Sequence, residues 1–271
     1  MDHISRLCFG ASYGVALMAE LAQSYWPNKA WRWASLFFGA AGLLAHSIFL
    51  MVKRPTLAMP YGSLLLLAWI LAVFYLYGSV HHRRLAWAIF VLPLVLGLVI
   101  LAGQFASSDP TAPPSWLTAL TGPRFWGTLH GALVLLAGVG VCVGAIASVM
   151  YLVQSHRLRR KSPGTGGLRL LSLERLETMN RRAISAAFPL LTVGLLVGAA
   201  LGYQRLGTTG PWLTPKVLGT VGLWLANAVL LILRYSWHAR GRWLAFGTLG
   251  AFAILLIALA TVHPFVGGGE S

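Results

Sequence analysis

From Phe125 to Leu152 the chain carries no Asp, Glu, Lys or Arg. That run exceeds the roughly 20 apolar residues a helix needs to cross the hydrocarbon of a bilayer. In lipid only a helix or a closed barrel satisfies its own backbone donors and acceptors, and a run of this kind reads as a helix. Eight segments meet or approach the requirement, at about 5–25, 33–52, 61–80, 85–104, 125–152, 183–203, 217–236 and 243–264. The chain is 57% apolar and only 10% charged, where a soluble domain carries about 25% charged residues. The expected fold is an all-α, polytopic membrane bundle of about eight transmembrane helices, with residues 1–271 forming a single membrane domain. The first segment is the most polar, since it holds Glu20 and Gln23, and a seven-span arrangement is the alternative. Its start, MDHISRLCFG, lacks a basic region ahead of a compact apolar core, so it reads as a membrane helix and not as a removed signal.

A net charge of +15 would suit a nucleic-acid binder if the basic residues formed one surface. They fall instead in short clusters between apolar runs, the pattern that sets membrane topology, and nucleic acid is not expected as a partner. The connection after segment five carries eight Lys and Arg, and Lys29, Arg32, Arg83, Arg84, Arg240 and Arg242 fall on the same side. That side is expected to face the cytoplasm, with both termini outside, in the cytoplasmic (inner) membrane of a bacterium. The basic loop, 155–182, is expected to hold a short amphipathic helix from Leu171 to Arg182, with Ser172 as its N-cap and Leu171, Leu173, Leu176 and Met179 on its apolar face. Outside, 105–124 is a Pro-rich loop with Trp116 and Trp126 at its end, and 204–216 is a second external connection. Membrane lipid is the one partner that composition alone implies.

Sequence motifs for soluble catalysis are absent: there is no GxSxG, HExxH, phosphate-binding Gly-rich loop or CxxC. Cys8 and Cys142 lie in apolar segments and read as packing residues. The six Asp and Glu form no pair inside a segment, and the protein reads as a carrier or assembly factor, not an enzyme. Histidine is the remaining chemistry. His3, His81, His82, His156 and His238 stand at segment ends and read as solvated loop residues. His46, His130 and His263 stand within or at the outer edge of segments, where ionisable groups are costly and are functional candidates. His46 lies about 20 Å along segment two at 1.5 Å per residue, in the outer half. His130 lies one and a half turns into segment five, and His263 closes segment eight. Each could simply hydrogen-bond interfacial water or a carbonyl. Together, two imidazoles without Cys or carboxylate argue against zinc, which takes three or four ligands. They suit the iron of haem, ligated from opposite faces in an aromatic cleft.

Two stretches carry a family resemblance. RFWGTLHGALVLLAGVGVCVGAIASVMYLVQSHRLRRK and LSLERLETMNRRAISAAFPLLTVGLLVGA resemble the cytochrome c assembly membrane proteins, closest to the HemX-type (CcsA-like) branch. The resemblance covers about residues 125–265, and the first four segments only by hydropathy. It implies non-covalent haem b held near the outer face by one His before and one His after a Trp-rich loop, at His130 and His263. It implies further that Trp126 and Trp212 flank the ring and that Arg124, Arg205 or Lys216 neutralise the propionates. His46 would be one histidine of an inner site. The Trp-rich loop, 204–216, is degenerate: Pro215 and Lys216 keep its centre, while Thr214 and Val217 replace its acidic residues and Ile232 replaces a histidine late in segment seven. The partners implied are another cytochrome c assembly subunit, apocytochrome c or a haem-biosynthetic enzyme. Two other functions remain open. One is a regulatory protein that controls haem biosynthesis without delivering haem. The other is a proton-coupled transporter using His46, for which no inverted repeat is evident.

Overall fold

A computed structural model describes residues 2–26, 28–55, 59–81, 87–105, 124–159, 171–206, 214–236 and 241–261, with backbone alone at 2–6, 124, 205 and 206. These residues form eight helices: α1 (Asp2–Tyr25), α2 (Lys29–Lys53), α3 (Pro60–His81), α4 (Ala88–Gln104), α5 (Arg124–Arg159), α6 (Leu173–Leu206), α7 (Pro215–Tyr235) and α8 (Gly241–Ala260). No strand occurs among the described residues. Six helices, α2, α3 and α5 to α8, are long and apolar enough to cross a membrane. Helix α4 is apolar but only 17 residues long, and α1, the most polar of the expected spans, falls outside the six. The fold is an all-helical, multi-pass membrane bundle.

Local chemistry sets the helix ends. Asn28 caps α2, its Oδ1 accepting from the Ala30 N–H at 3.1 Å. Thr214 caps α7, accepting from Val217, with Pro215 supplying the first-turn φ. At the other end of α2, Arg54 adopts a left-handed conformation (φ 45°) so that its N–H reaches the Leu50 carbonyl. Ser172 caps α6 as expected, its hydroxyl accepting from the Arg175 N–H. The amphipathic stretch it begins does not stop at Arg182, however. It continues through Ala183 into the next span as one 34-residue helix that carries Pro189 in its interior. Leu176 on this stretch is fully buried, so its apolar face packs into the bundle.

The helices pack in two sets of four with the same pairing. In the first set α1 lies against α2 and α4, and α3 against α2 and α4. In the second, α5 lies against α6 and α8, and α7 against α6 and α8. Both sets therefore repeat one order of neighbours. The seam is narrow, made by α3 and α4 against α5 and by α3 against α8. Helix α3 is accordingly apolar and enclosed on most sides, with Leu64, Leu65, Leu67, Ala68, Leu71, Ala72 and Tyr75 fully buried. By contrast Phe37, Leu44, Ile48 and Met51 of α2 are largely exposed, as lipid-facing residues are. Lipid gives apolar side chains no drive to leave it, so helix pairs are held by close packing and hydrogen bonds. Helices α5 and α6 show this best. A Cβ on Gly140 would fall 2.9 Å from the Ala187 Cβ, and one on Gly194 would fall 3.1 Å from Val134 Cγ2. Backbones approach this closely only where side chains are small.

Candidate functional site

Helix α5 puts His130 in its second turn, facing α6. The Nδ1 atom lies 2.7 Å from the carbonyl oxygen of Gly194. A carbonyl can only accept, so Nδ1 carries the proton and donates. The neutral ring then holds its lone pair on Nε2, the tautomer a metal-binding imidazole needs. Gly198 makes the seat for the ring: a Cβ there would stand 2.5 Å from His130 Cε1 and 2.8 Å from Nδ1. Gly194 and Gly198 are one turn apart in the segment GLLVG. One supplies the acceptor and the other the space.

Lys216, in the first turn of α7, is half-buried and close enough to His130 for their charges to interact. Its Nζ donates to the Thr261 carbonyl at 3.3 Å, tying the start of α7 to the end of α8. Gly219 reinforces the junction, since a Cβ there would sit 3.0 Å from that of Ala258. Trp126 lies one turn before His130 on the same face of α5, half exposed and edge-on to Phe125. His130, Lys216 and Trp126 thus share one end of the second set. His263 and Trp212 lie outside the described residues, as do the side chains of Arg124 and Arg205. The last described residue, Thr261, is two positions before His263 and is the residue Lys216 holds.

His46 is elsewhere. It belongs to the first set, fully buried between α1 and α2, stacked on Phe9 with ring centroids 4.3 Å apart. Its Nδ1 lies 3.4 Å from the Tyr13 hydroxyl, and Nε2 has no hydrogen-bond partner. About three turns away along α2, Glu20 accepts from the Ser35 hydroxyl at 2.8 Å, and Ser35 meets the Tyr75 hydroxyl at 3.0 Å.

Sequence reasoning missed three parts of this arrangement. The Gly194–Gly198 seat was visible as a pair of small residues one helical turn apart, a signal of close helix approach. The Tyr13 contact to His46 was not visible, because it joins two helices whose rotation only packing sets. A third part is a polar knot at the opposite end of the second set. There the Asn180 Nδ2 group reaches the Ser148 hydroxyl at 2.8 Å, the Gly144 carbonyl at 3.1 Å and the Thr248 hydroxyl at 3.1 Å. Among the described residues no three His, Cys, Asp or Glu gather as a metal cluster.

The family model described as cytochrome C assembly protein matches residues 57–264. The chain belongs to this family. Among its relatives is a protein named cytochrome c biogenesis protein CcsA from Prochlorococcus marinus (strain MIT 9515), 27% identical over 219 residues, which are 73% of this chain and 69% of the relative. A second, of the same name, from Prochlorococcus marinus (strain MIT 9312), is 26% identical over 228 residues, covering 77% and 72%. A third, from Synechococcus elongatus (strain ATCC 33912 / PCC 7942 / FACHB-805), is 26% identical over 194 residues, covering 56% and 59%. No solved structure matches. The protein is thus a multi-pass membrane member of the cytochrome c assembly family.

Proposed function

We propose that this protein handles haem at the end of the bundle that carries His130. His130 supplies one axial ligand through Nε2 and His263 the other. The observation that carries the proposal is the Nδ1–H bond from His130 to the Gly194 carbonyl at 2.7 Å, which fixes both ring orientation and tautomer. The same bond leaves Nε2 as the lone-pair nitrogen, the tautomer that a ligating imidazole needs. Two nitrogen ligands with no third His, Cys or carboxylate suit the two open axial positions of a porphyrin iron.

Lys216 and Arg124 neutralise the propionates, with Arg205 as a further cation, and Trp126 and Trp212 flank the ring. When bound, haem supplies the iron porphyrin that a c-type cytochrome must receive. The residues of this chain hold and orient it and exchange no covalent bond with it. The partners are another assembly subunit or apocytochrome c. The charge bias supports a position of this end outside the cytoplasmic membrane of a bacterium, with both termini on that side.

A second reading rests on positions 214, 217 and 232. Thr214 and Val217 carry no charge where the resemblance leads one to expect acidic groups, and Ile232 is exposed on the outside of α7. These departures favour a HemX-like member that senses haem or controls its synthesis without delivering it. Both readings need haem to bind. Purified protein in mild detergent, mixed with hemin, is expected to give a bis-imidazole spectrum that His130→Ala and His263→Ala each abolish. A parent protein that takes up no more haem than an unrelated membrane protein ends both readings. Delivery to an apocytochrome in a reconstituted transfer assay then separates them.

A further inference from the structure

The Arg-rich end of the second set holds a group for which haem handling at the opposite end has no use. Arg234 lies in the last turn of α7 and is half-buried. Its Nη1 donates to Asn180 Oδ1 at 3.4 Å and its Nη2 to the Glu177 carbonyl at 3.0 Å. Both acceptors are neutral, and a guanidinium offers five N–H donors in a rigid fork.

Beside it opens a shallow cleft lined by Ser148, Tyr151, Glu177, Asn180 and Leu244. The Glu177 carboxylate attracts Arg234 from a distance, but its hydrogen bond goes elsewhere. It meets the Tyr151 hydroxyl over Gly241, the first residue of α8. Three more guanidiniums stand exposed near the cleft: Arg181, close enough to Arg234 for mutual repulsion, and Arg242 and Arg159, both close to Tyr151.

A solvated basic face accounts for loop arginines. It does not account for one aimed inward and held by Asn180, an amide itself fixed by bonds to three other groups. Four guanidiniums around one carboxylate that is already engaged leave the cleft positive and short of an anion. At the boundary of a bilayer the oxyanion in closest reach is a lipid phosphate. We propose that this cleft, between α5, α6, α7 and α8, is an oxyanion site for the phosphate of an anionic phospholipid. Arg234 is its buried donor, and Arg181 and Arg242 are its rim. The phosphate accepts from the unused N–H groups of Arg234 in charge-assisted hydrogen bonds.

The test uses the full chain in neutral detergent, with thermal unfolding followed by tryptophan fluorescence. Dioctanoyl phosphatidylglycerol at about ten times its Kd is expected to raise the midpoint by roughly 2–3 °C. Dioctanoyl phosphatidylcholine, with no net charge, gives no such rise, and inorganic phosphate at equal concentration gives a smaller one. Arg234→Gln removes the phosphatidylglycerol shift. That variant also loses its bonds to α6, so Arg181→Gln with Arg242→Gln is the second test. It leaves the buried bonds intact and moves the titration midpoint to severalfold higher lipid, with weaker salt dependence. An unchanged phosphatidylglycerol shift in both variants overturns the proposal. A phosphate shift equal to that of the lipid, lost in Arg234→Gln, keeps the oxyanion site and overturns lipid as its source.

Discussion

Replacing Gly198 by Ala tests how His130 is seated. The new methyl carbon would stand 2.5 Å from His130 Cε1, where carbon atoms at rest sit about 3.5–4.0 Å apart. The imidazole must therefore retreat by about 1 Å. Its Nδ1–H bond to the Gly194 carbonyl is 2.7 Å long, and a shift of that size stretches it past the roughly 3.2 Å limit of a useful N–H···O bond. The ring then loses both its orientation and its fixed tautomer. Loss of the group that orients a ligating histidine typically lowers metal affinity about 10- to 100-fold. Overpacking is expected to cost a further 1–3 kcal/mol or so of stability. Hemin titration in detergent, read at the Soret band, measures the first effect, and thermal unfolding measures the second. Gly194→Ala is the control. Its methyl comes nearest to Val134 Cγ2, at 3.1 Å, which a side-chain adjustment of a few tenths of an ångström relieves, and then to Leu133 and Val134 atoms at 3.5 Å, an ordinary contact. The carbonyl that His130 needs stays in place. The expected order of hemin affinity is wild type, then Gly194→Ala, then Gly198→Ala, with about tenfold between the last two. A folded Gly198→Ala protein that binds hemin as tightly as wild type would refute the seating argument.

Further outcomes follow from other contacts. Lys216→Met removes the donor to the Thr261 carbonyl and a cation at the His130 end. Hemin Kd should rise by about tenfold, since a hydrogen bond to a charged group contributes about 1.5 kcal/mol or more, and the salt dependence of uptake should shrink. Asn180→Ala takes away the amide that links α6 to α5 and α8. A loss of about 1–3 kcal/mol is expected in denaturant unfolding in micelles, while hemin affinity at the far end stays the same. Tyr13→Phe removes the hydroxyl beside His46 Nδ1 and is expected to cost about 1 kcal/mol. Because His46 sits in the first set of helices and His130 in the second, this substitution should leave the hemin spectrum unchanged.

The apolar runs by themselves determined that this chain is a helical membrane protein. Each run must satisfy its backbone internally, and in lipid a run of that length has no other form than a helix. The cap at Ser172 was equally local: its hydroxyl acts over three residues, so its role follows from spacing alone. The sequence also singled out His130, because an ionisable ring in an apolar helix is rare enough to stand out. What it left open concerned contacts between helices. The expected break at Arg182 failed because a helix continues wherever nothing stops it, and membrane hydropathy marks where lipid begins, not where a helix does. Packing alone decided that His46 turns to Phe9 and Tyr13, that His130 turns to Gly194, and that the two histidines serve different sets of four helices. The reason is rotational: a helix that is apolar on every side has no amphipathic stripe to fix which face meets which neighbour. In α5 and α6 that choice falls to small residues, and where Gly194 and Gly198 let the backbones close, the tautomer of one imidazole is decided.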